Sequence, residues 1–159
     1  MTLEIGDPAP DFTLPDQEGS PVQLSSLKGQ RVVIYFYPKD DTPGCTKEAC
    51  SFRDLWSQFE AHGIKVLGIS KDGATSHGKF ISKYELPFTL LTDAEPCPVA
   101  AAYESYGLKK FMGKEYMGMM RHSFVVAADG TLEQIYRKVK AEEMAEQVLI
   151  DLGLNATAG

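Results

Sequence analysis

RVVIYFYPKDDTPGCTKEAC, residues 31–50, carries the frame of the fold and its chemistry side by side. Arg31–Tyr37 is an unbroken β-branched and aromatic run closed by Pro38. A run that is apolar on both faces reads as a central strand buried between two layers. Thr42 and Pro43 then read as the N-cap and first residue of a helix, with Gly63 where it would stop. Between them Cys45, Ala49, Phe52, Trp56 and Phe59 recur at steps of four and three, which makes one apolar helix face. Cys45 lies in the first helical turn, just past the carboxyl end of the strand, where open α/β sheets place their sites.

Working outward, short apolar pieces at Phe12–Leu14 and Val22–Leu24 predict a loose hairpin ahead of this stretch. Behind it the pattern predicts a strand at Ile64–Ser70, a helix at Ser76–Tyr84 and a short strand at Phe88–Leu91. Ala100–Tyr106 reads as a helix ended by Gly107. Ser123–Ala128 and Leu132–Val139 read as a hairpin joined across Asp129-Gly130. A last helix, Ala141–Leu152, carries Ala145, Val148, Leu149 and Leu152 on one side. Alternating strands and helices followed by a hairpin and a helix predict an α/β fold: a central mixed β-sheet with helices on both faces.

The chain has 159 residues, 43% of them hydrophobic and 10% aromatic, enough for one domain (1–159) with a core of its own. A formal net charge of −6 leaves no basic stripe for phosphates, so no nucleic-acid partner is expected. The opening MTLEIGDPAPDF has neither the basic nor the apolar region of a signal peptide, and no apolar stretch approaches membrane-spanning length. Three cysteines are too few for a disulfide-built secreted domain, so a soluble, cytoplasmic protein without a membrane partner is expected.

Two of those cysteines, Cys45 and Cys50, stand five residues apart. A helix N-terminus favours an anion, and the thiolate is the reactive form of cysteine. A lone cysteine on an apolar helix face is otherwise a small buried hydrophobe. On an ideal helix the two Cα atoms stand about 8.7 Å apart, from 3.6 residues per turn and a rise of 1.5 Å. A disulfide requires about 4.4–6.8 Å, so the pair cannot join while the helix is intact. Cys45 faces inward and Cys50 groups with Lys47, Arg53 and Asp54 on the polar side. Metal binding fits poorly: the C-x₄-C spacing lacks a second pair, and His62, His77 and His122 stand at no ligand spacing. A thiol–disulfide exchange protein remains open, although C-x-x-C is its usual motif; so does a non-enzymatic interaction module.

Pro38, Thr42 and Cys45 spell the P-x-x-x-T-x-x-C motif of the peroxiredoxins. The C-x₄-C spacing, followed by Arg53-Asp54, resembles the Q-type subgroup, also called bacterioferritin-comigratory proteins. GDPAPDFTLPDQEG, FMGKEYMGMMR and Arg121-His122-Ser123-Phe124 extend the resemblance over essentially the whole chain. It implies a thioredoxin-like fold and a thiol peroxidase without cofactor, acting on hydrogen peroxide and organic hydroperoxides. Cys45 would be the peroxidatic thiolate and Cys50 the resolving thiol, joined as an intramolecular disulfide and recycled by a thioredoxin-like dithiol; a monomer is expected. By the same resemblance Thr42 would hydrogen-bond thiolate and peroxide, Pro38 would shield the site from water, and Arg121 would hold positive charge beside sulfur. Cys97 falls outside the motif and is given no part.

A thiol of pKa about 8.5 is already about 3% ionised at pH 7, so full ionisation gains at most about thirtyfold. Any larger acceleration must come from donors aimed at the charge on the leaving oxygen. Asp40 and Asp41, which would oppose a thiolate, are expected to face solvent. Met112, Met117, Met119 and Met120 read as core or loop packing, or as an apolar rim for organic hydroperoxides.

Overall fold

A computed structural model describes residues 2–154. The sequence from 31 to 37 folds as expected: β3 (Val32–Phe36) follows a small hairpin of β1 (Thr13–Pro15) and β2 (Pro21–Gln23), and every residue of β3 is buried. Its neighbours are β4 (Lys65–Ser70), parallel, and β8 (Ser123–Val126), antiparallel. β5 (Thr89–Thr92) and β9 (Leu132–Tyr136) complete a five-stranded mixed sheet in the order β5-β4-β3-β8-β9. Alternation along β3 divides the core. Val33 and Tyr35 join one cluster with Cys45, Phe52, Phe59, Phe80 and Val148, beneath the longer helices. Val32, Ile34 and Phe36 join the other with Phe12, Leu24, Cys97, Ala100 and Tyr103. Helices therefore flank both faces, unevenly.

α1 (Pro43–Asp54) leaves the strand end as the Thr-Pro-Gly turn predicts, but the expected helix to Gly63 is two helices. Leu55, at φ −107° and ψ 13°, breaks it, and α2 (Trp56–Ala61) follows. Across the break Phe59 still packs on Phe52, with ring centroids 5.5 Å apart, and Trp56 turns to Phe88 at 6.1 Å. Beneath α1, Tyr35 stacks on Phe52 at 5.0 Å. Opposite Tyr35 on β4 stands Gly68, where a Cβ would lie 2.8 Å from the Tyr35 ring. The glycine lets that ring lie flat as the floor under α1.

α3 (Ala74–Tyr84) begins two residues before its predicted start. The last helix is a 3-10 turn, Ala141–Glu143, leading into α5 (Met144–Asp151), with Ala145, Val148 and Leu149 buried. The region from 98 to 119 departs most from expectation. α4 is Pro98–Ala102, started by Pro98, and Glu104 at φ 59° ends the turn after it. Tyr106 and Gly107 belong to a strand, β6 (Tyr106–Phe111), paired with β7 (Lys114–Met119) as a separate hairpin. Met112 and Gly113, both at positive φ, make its two-residue turn, the geometry that favours a right-twisted hairpin. Met112, 86% exposed, and Met117 are on the surface of this hairpin, whereas Met119 is buried in the core. No helix among the described residues is long and apolar enough to cross a membrane.

Candidate active site

β3 and α1 bring Cys45 to the sheet's carboxyl edge and bury it, with 1% of its surface exposed. All three cysteines are free thiols. Thr42 has the extended backbone of an N-cap, yet its side chain caps nothing. The hydroxyl instead donates to the Lys39 carbonyl at 2.9 Å. Thr46 N–H closes the first helical bond onto Thr42 O at 2.8 Å. Thr42 therefore leaves the Gly44 and Cys45 N–H groups uncapped, facing the start of the helix. A hydroxyl has one proton and two lone pairs, so with its proton on Lys39 the Thr42 oxygen can only accept from anything else.

Arg121 comes from the link between β7 and β8, far from α1 in sequence. Its Nη2 donates to Cys45 Sγ at 3.4 Å and its Nη1 to Glu48 Oε1 at 3.0 Å. The guanidinium lies so close over α1 that a Cβ on Gly44 would stand 2.9 Å from Nη2. Only glycine at 44 admits this approach. Burial works against the Arg121 charge, but Cys45 and Glu48 outweigh it and hold the guanidinium above its ordinary range. Lys109 reaches the same neighbourhood; its ammonium donates to Met119 O at 3.0 Å, and burial, then Arg121, lowers its pKa.

Glu48 is a site residue the sequence reading missed. It stands three residues after Cys45 on a stripe otherwise made of Cys45, Ala49 and Phe52, and is 1% exposed. An acidic residue on an apolar helix face was the available signal. Burial raises its carboxyl from 4.5 to about 7, with Arg121 opposing the rise. Between those two pH values the unfolded chain loses this proton while the native state keeps it. Stability therefore falls as pH rises through that window. Glu48→Gln removes this component: its stability relative to the parent rises between pH 4.5 and pH 8 by on the order of 2–3 kcal/mol, measured by urea denaturation. A difference independent of pH would contradict the raised carboxyl.

Asp41 faces solvent as expected, at φ 57°, held by Lys83 and Tyr84 at 2.8 Å each. Asp40 does not: it is 7% exposed and tied into polar contacts beneath the loop. Its inward turn is possible because donors surround it, among them Ser76 and His77 of α3. Pro38 is half-buried at the strand exit. Cys50 is half-buried beside Arg53, whose Nη1 donates to Tyr84 O at 2.9 Å. Cys97 belongs to the cluster on the other face of the sheet, and burial, then Asp93 and Glu95, pushes its thiol up to about 11.

Comparisons with known proteins point to one family. The AhpC/TSA family profile matches residues 5–135. Peroxiredoxin Bcp of Bacillus subtilis is 46% identical over 149 residues, 94% of each chain. Peroxiredoxin Bcp of Escherichia coli is 45% identical, covering 92% of this chain and 94% of that protein. Among solved structures, the bacterioferritin comigratory protein of Xanthomonas campestris superposes with a TM-score of 0.85 at 35% identity, over 95% of this chain and 96% of that one. The thioredoxin-like frame, the buried thiol on a helix N-terminus and these whole-length likenesses converge: the chain belongs to the AhpC/TSA family and is a Q-type peroxiredoxin, an enzyme that reduces hydroperoxides with a thiol reductant.

Proposed function

We propose that Cys45 is the peroxidatic thiolate and that Cys50 resolves it within the same chain. Cys45 sulfur attacks the terminal oxygen of ROOH; an S–O bond forms, the O–O bond breaks, and the leaving oxygen departs as ROH after taking a proton. The resulting sulfenic acid is attacked by the Cys50 thiolate, which forms the disulfide and releases water. A thioredoxin-like dithiol then reduces the disulfide. The observation that carries this reading is Arg121, which spans Cys45 Sγ and Glu48 at the start of α1. Its guanidinium and the Cys45 N–H can stabilise charge on the departing oxygen, while the Thr42 oxygen accepts from the peroxide O–H and Pro38 limits water. The disulfide needs no second copy of the chain, which fits a monomer. The X. campestris relative is described by its alkyl peroxide reduction activity, and an organic hydroperoxide is proposed as a substrate here alongside hydrogen peroxide.

One equivalent of hydrogen peroxide, added to the reduced protein, is expected to remove two of three thiols, measured by thiol titration. Cys50→Ser is expected to lose one thiol, then overoxidise and stop turning over with thioredoxin. Cys97→Ser is expected to keep the parent rate, because its thiol lies across the sheet from Cys45. Turnover at the parent rate in Cys50→Ser, or a large loss in Cys97→Ser, would overturn the choice of resolving thiol.

A further inference from the structure

Asp40 is a carboxylate buried in the middle of the loop that precedes Cys45, with Lys39 and Asp41 on either side exposed. Burying such a group is costly unless donors replace water. Three side chains do so, and a fourth contact holds the backbone. The side chain accepts from Tyr37 Oη, from Ser76 Oγ at 2.8 Å and from His77 Nδ1 at 2.7 Å, while the Asp40 N–H donates to Asp72 Oδ2 at 2.8 Å. His77 is fully buried, and its Nε2 lies 3.0 Å from the Leu91 carbonyl. A carbonyl only accepts, so Nε2 carries a hydrogen, and a second proton lies between Nδ1 and the Asp40 carboxylate. Wherever that proton sits, the Asp40–His77 unit has no net charge, so a buried aspartate is tolerated five residues from Cys45.

None of these partners belongs to α1. They come from the strand end (Tyr37), the loop after β4 (Asp72) and the first turn of α3 (Ser76, His77). Asp41, the next residue, is held in left-handed geometry by the far end of the same helix, through Lys83 and Tyr84. Aspartate tolerates this conformation better than most residues, and here the two contacts hold it in place. The loop is thus pinned along α3 at two consecutive residues. Between them and the site stands one hydrogen bond: Thr42 Oγ1 donates to Lys39 O, the carbonyl immediately before Asp40.

We propose that Asp40 and His77 are a positioning pair for peroxide reduction, fixing the Lys39 carbonyl and, through it, the side of the Thr42 hydroxyl that receives the peroxide. The proposal rests on the Thr42 role given under Proposed function. A structural ion pair alone would hold the fold and leave the reaction of Cys45 unchanged. A positioning pair acts on the rate through Thr42.

The test measures single-turnover oxidation of Cys45 by hydrogen peroxide, at a pH where thiolate absorbance shows Cys45 fully ionised in every variant. Losing a hydrogen bond to a charged group is commonly worth about tenfold or more, and a loss of about tenfold is expected in His77→Phe. His77→Asn, whose amide can still donate to Asp40, is expected to recover most of the rate. In a Thr42→Val background His77→Phe is expected to cost less than about twofold, because the group it positions is gone. If His77→Phe does not fold, Asp40→Asn carries the same comparison, since it keeps the volume and replaces the carboxylate with a neutral amide that has one acceptor oxygen instead of two. A parent rate in His77→Phe or, in its place, Asp40→Asn, or a loss that multiplies with that of Thr42→Val, would overturn the positioning role. A parent rate in Thr42→Val itself would instead overturn the Thr42 role under Proposed function, and this proposal with it.

Discussion

Cys45→Ser is expected to abolish peroxide consumption while leaving the fold intact. Hydroxyl replaces thiol at a site that is 1% exposed, with almost no change in volume. The anion is what changes. A serine hydroxyl ionises far above a free thiol, whose pKa is near 8.5, so the nucleophilic form becomes scarcer by several orders of magnitude. No donor in the site can compensate for that. Arg121, the Cys45 N–H and Thr42 would act on charge that the serine never supplies. Peroxide consumption measured against the buffer blank is the readout, with circular dichroism as the check on folding. A substantial residual rate would place the nucleophile elsewhere.

Arg121→Ala is expected to slow the reaction of the fully ionised thiol by about 10²–10³-fold, the usual loss when one transition-state donor is removed. Because the comparison is made at full ionisation, the difference measures stabilisation of the departing oxygen and not thiolate supply. The same change removes the partner of Glu48, leaving a buried carboxyl alone. A stability loss should accompany the rate loss. The double variant Arg121→Ala, Glu48→Gln separates them, since it is expected to recover stability and not rate. Equal rates for Arg121→Ala and the parent at full ionisation would confine Arg121 to thiol ionisation and refute its role in O–O cleavage.

The parts of this molecule legible in the sequence are those whose signal is local and strong. Arg31–Tyr37 is apolar on every residue, and it became the central buried strand. Asp129-Gly130 stands between two apolar runs, and β8 and β9 pair across it. The β6–β7 hairpin has no such mark: its turn is Met112-Gly113, and its exposed strands alternate too weakly to outweigh a helical reading of Ala100–Tyr106. Pro98, which begins the real helix, was the overlooked cue. The site divides in the same way. Cys45, Cys50, Pro38 and Thr42 share one short stretch, and Arg121 was reached only through the family resemblance. Folding brings Arg121 to Cys45 from 76 residues away. Asp40 looked like loop surface because charged loop residues ordinarily are. Apart from Tyr37, the donors that bury it lie on α3, more than thirty residues on, where sequence spacing carries no information about them. Thr42 has the identity and backbone of a cap, but its hydroxyl bonds the Lys39 carbonyl and accepts from none of the helix N–H groups.

The central claim is that Cys45 and Cys50 react with each other only when α1 unwinds. In the structure α1 runs unbroken from Pro43 to Asp54, and a regular helix holds the two Cα atoms about 8.7 Å apart, beyond disulfide reach. A segment that opens in every cycle belongs to the low-stability part of the molecule, whereas β3 and β8 in the sheet centre do not. Amide hydrogen exchange, followed by mass spectrometry on reduced protein and on protein with a verified Cys45–Cys50 disulfide, tests this directly. The account predicts faster exchange across residues 43–52 in the oxidised form, with the sheet equally protected in both. Equal protection of 43–52 in the two forms, with the disulfide in place, would contradict it.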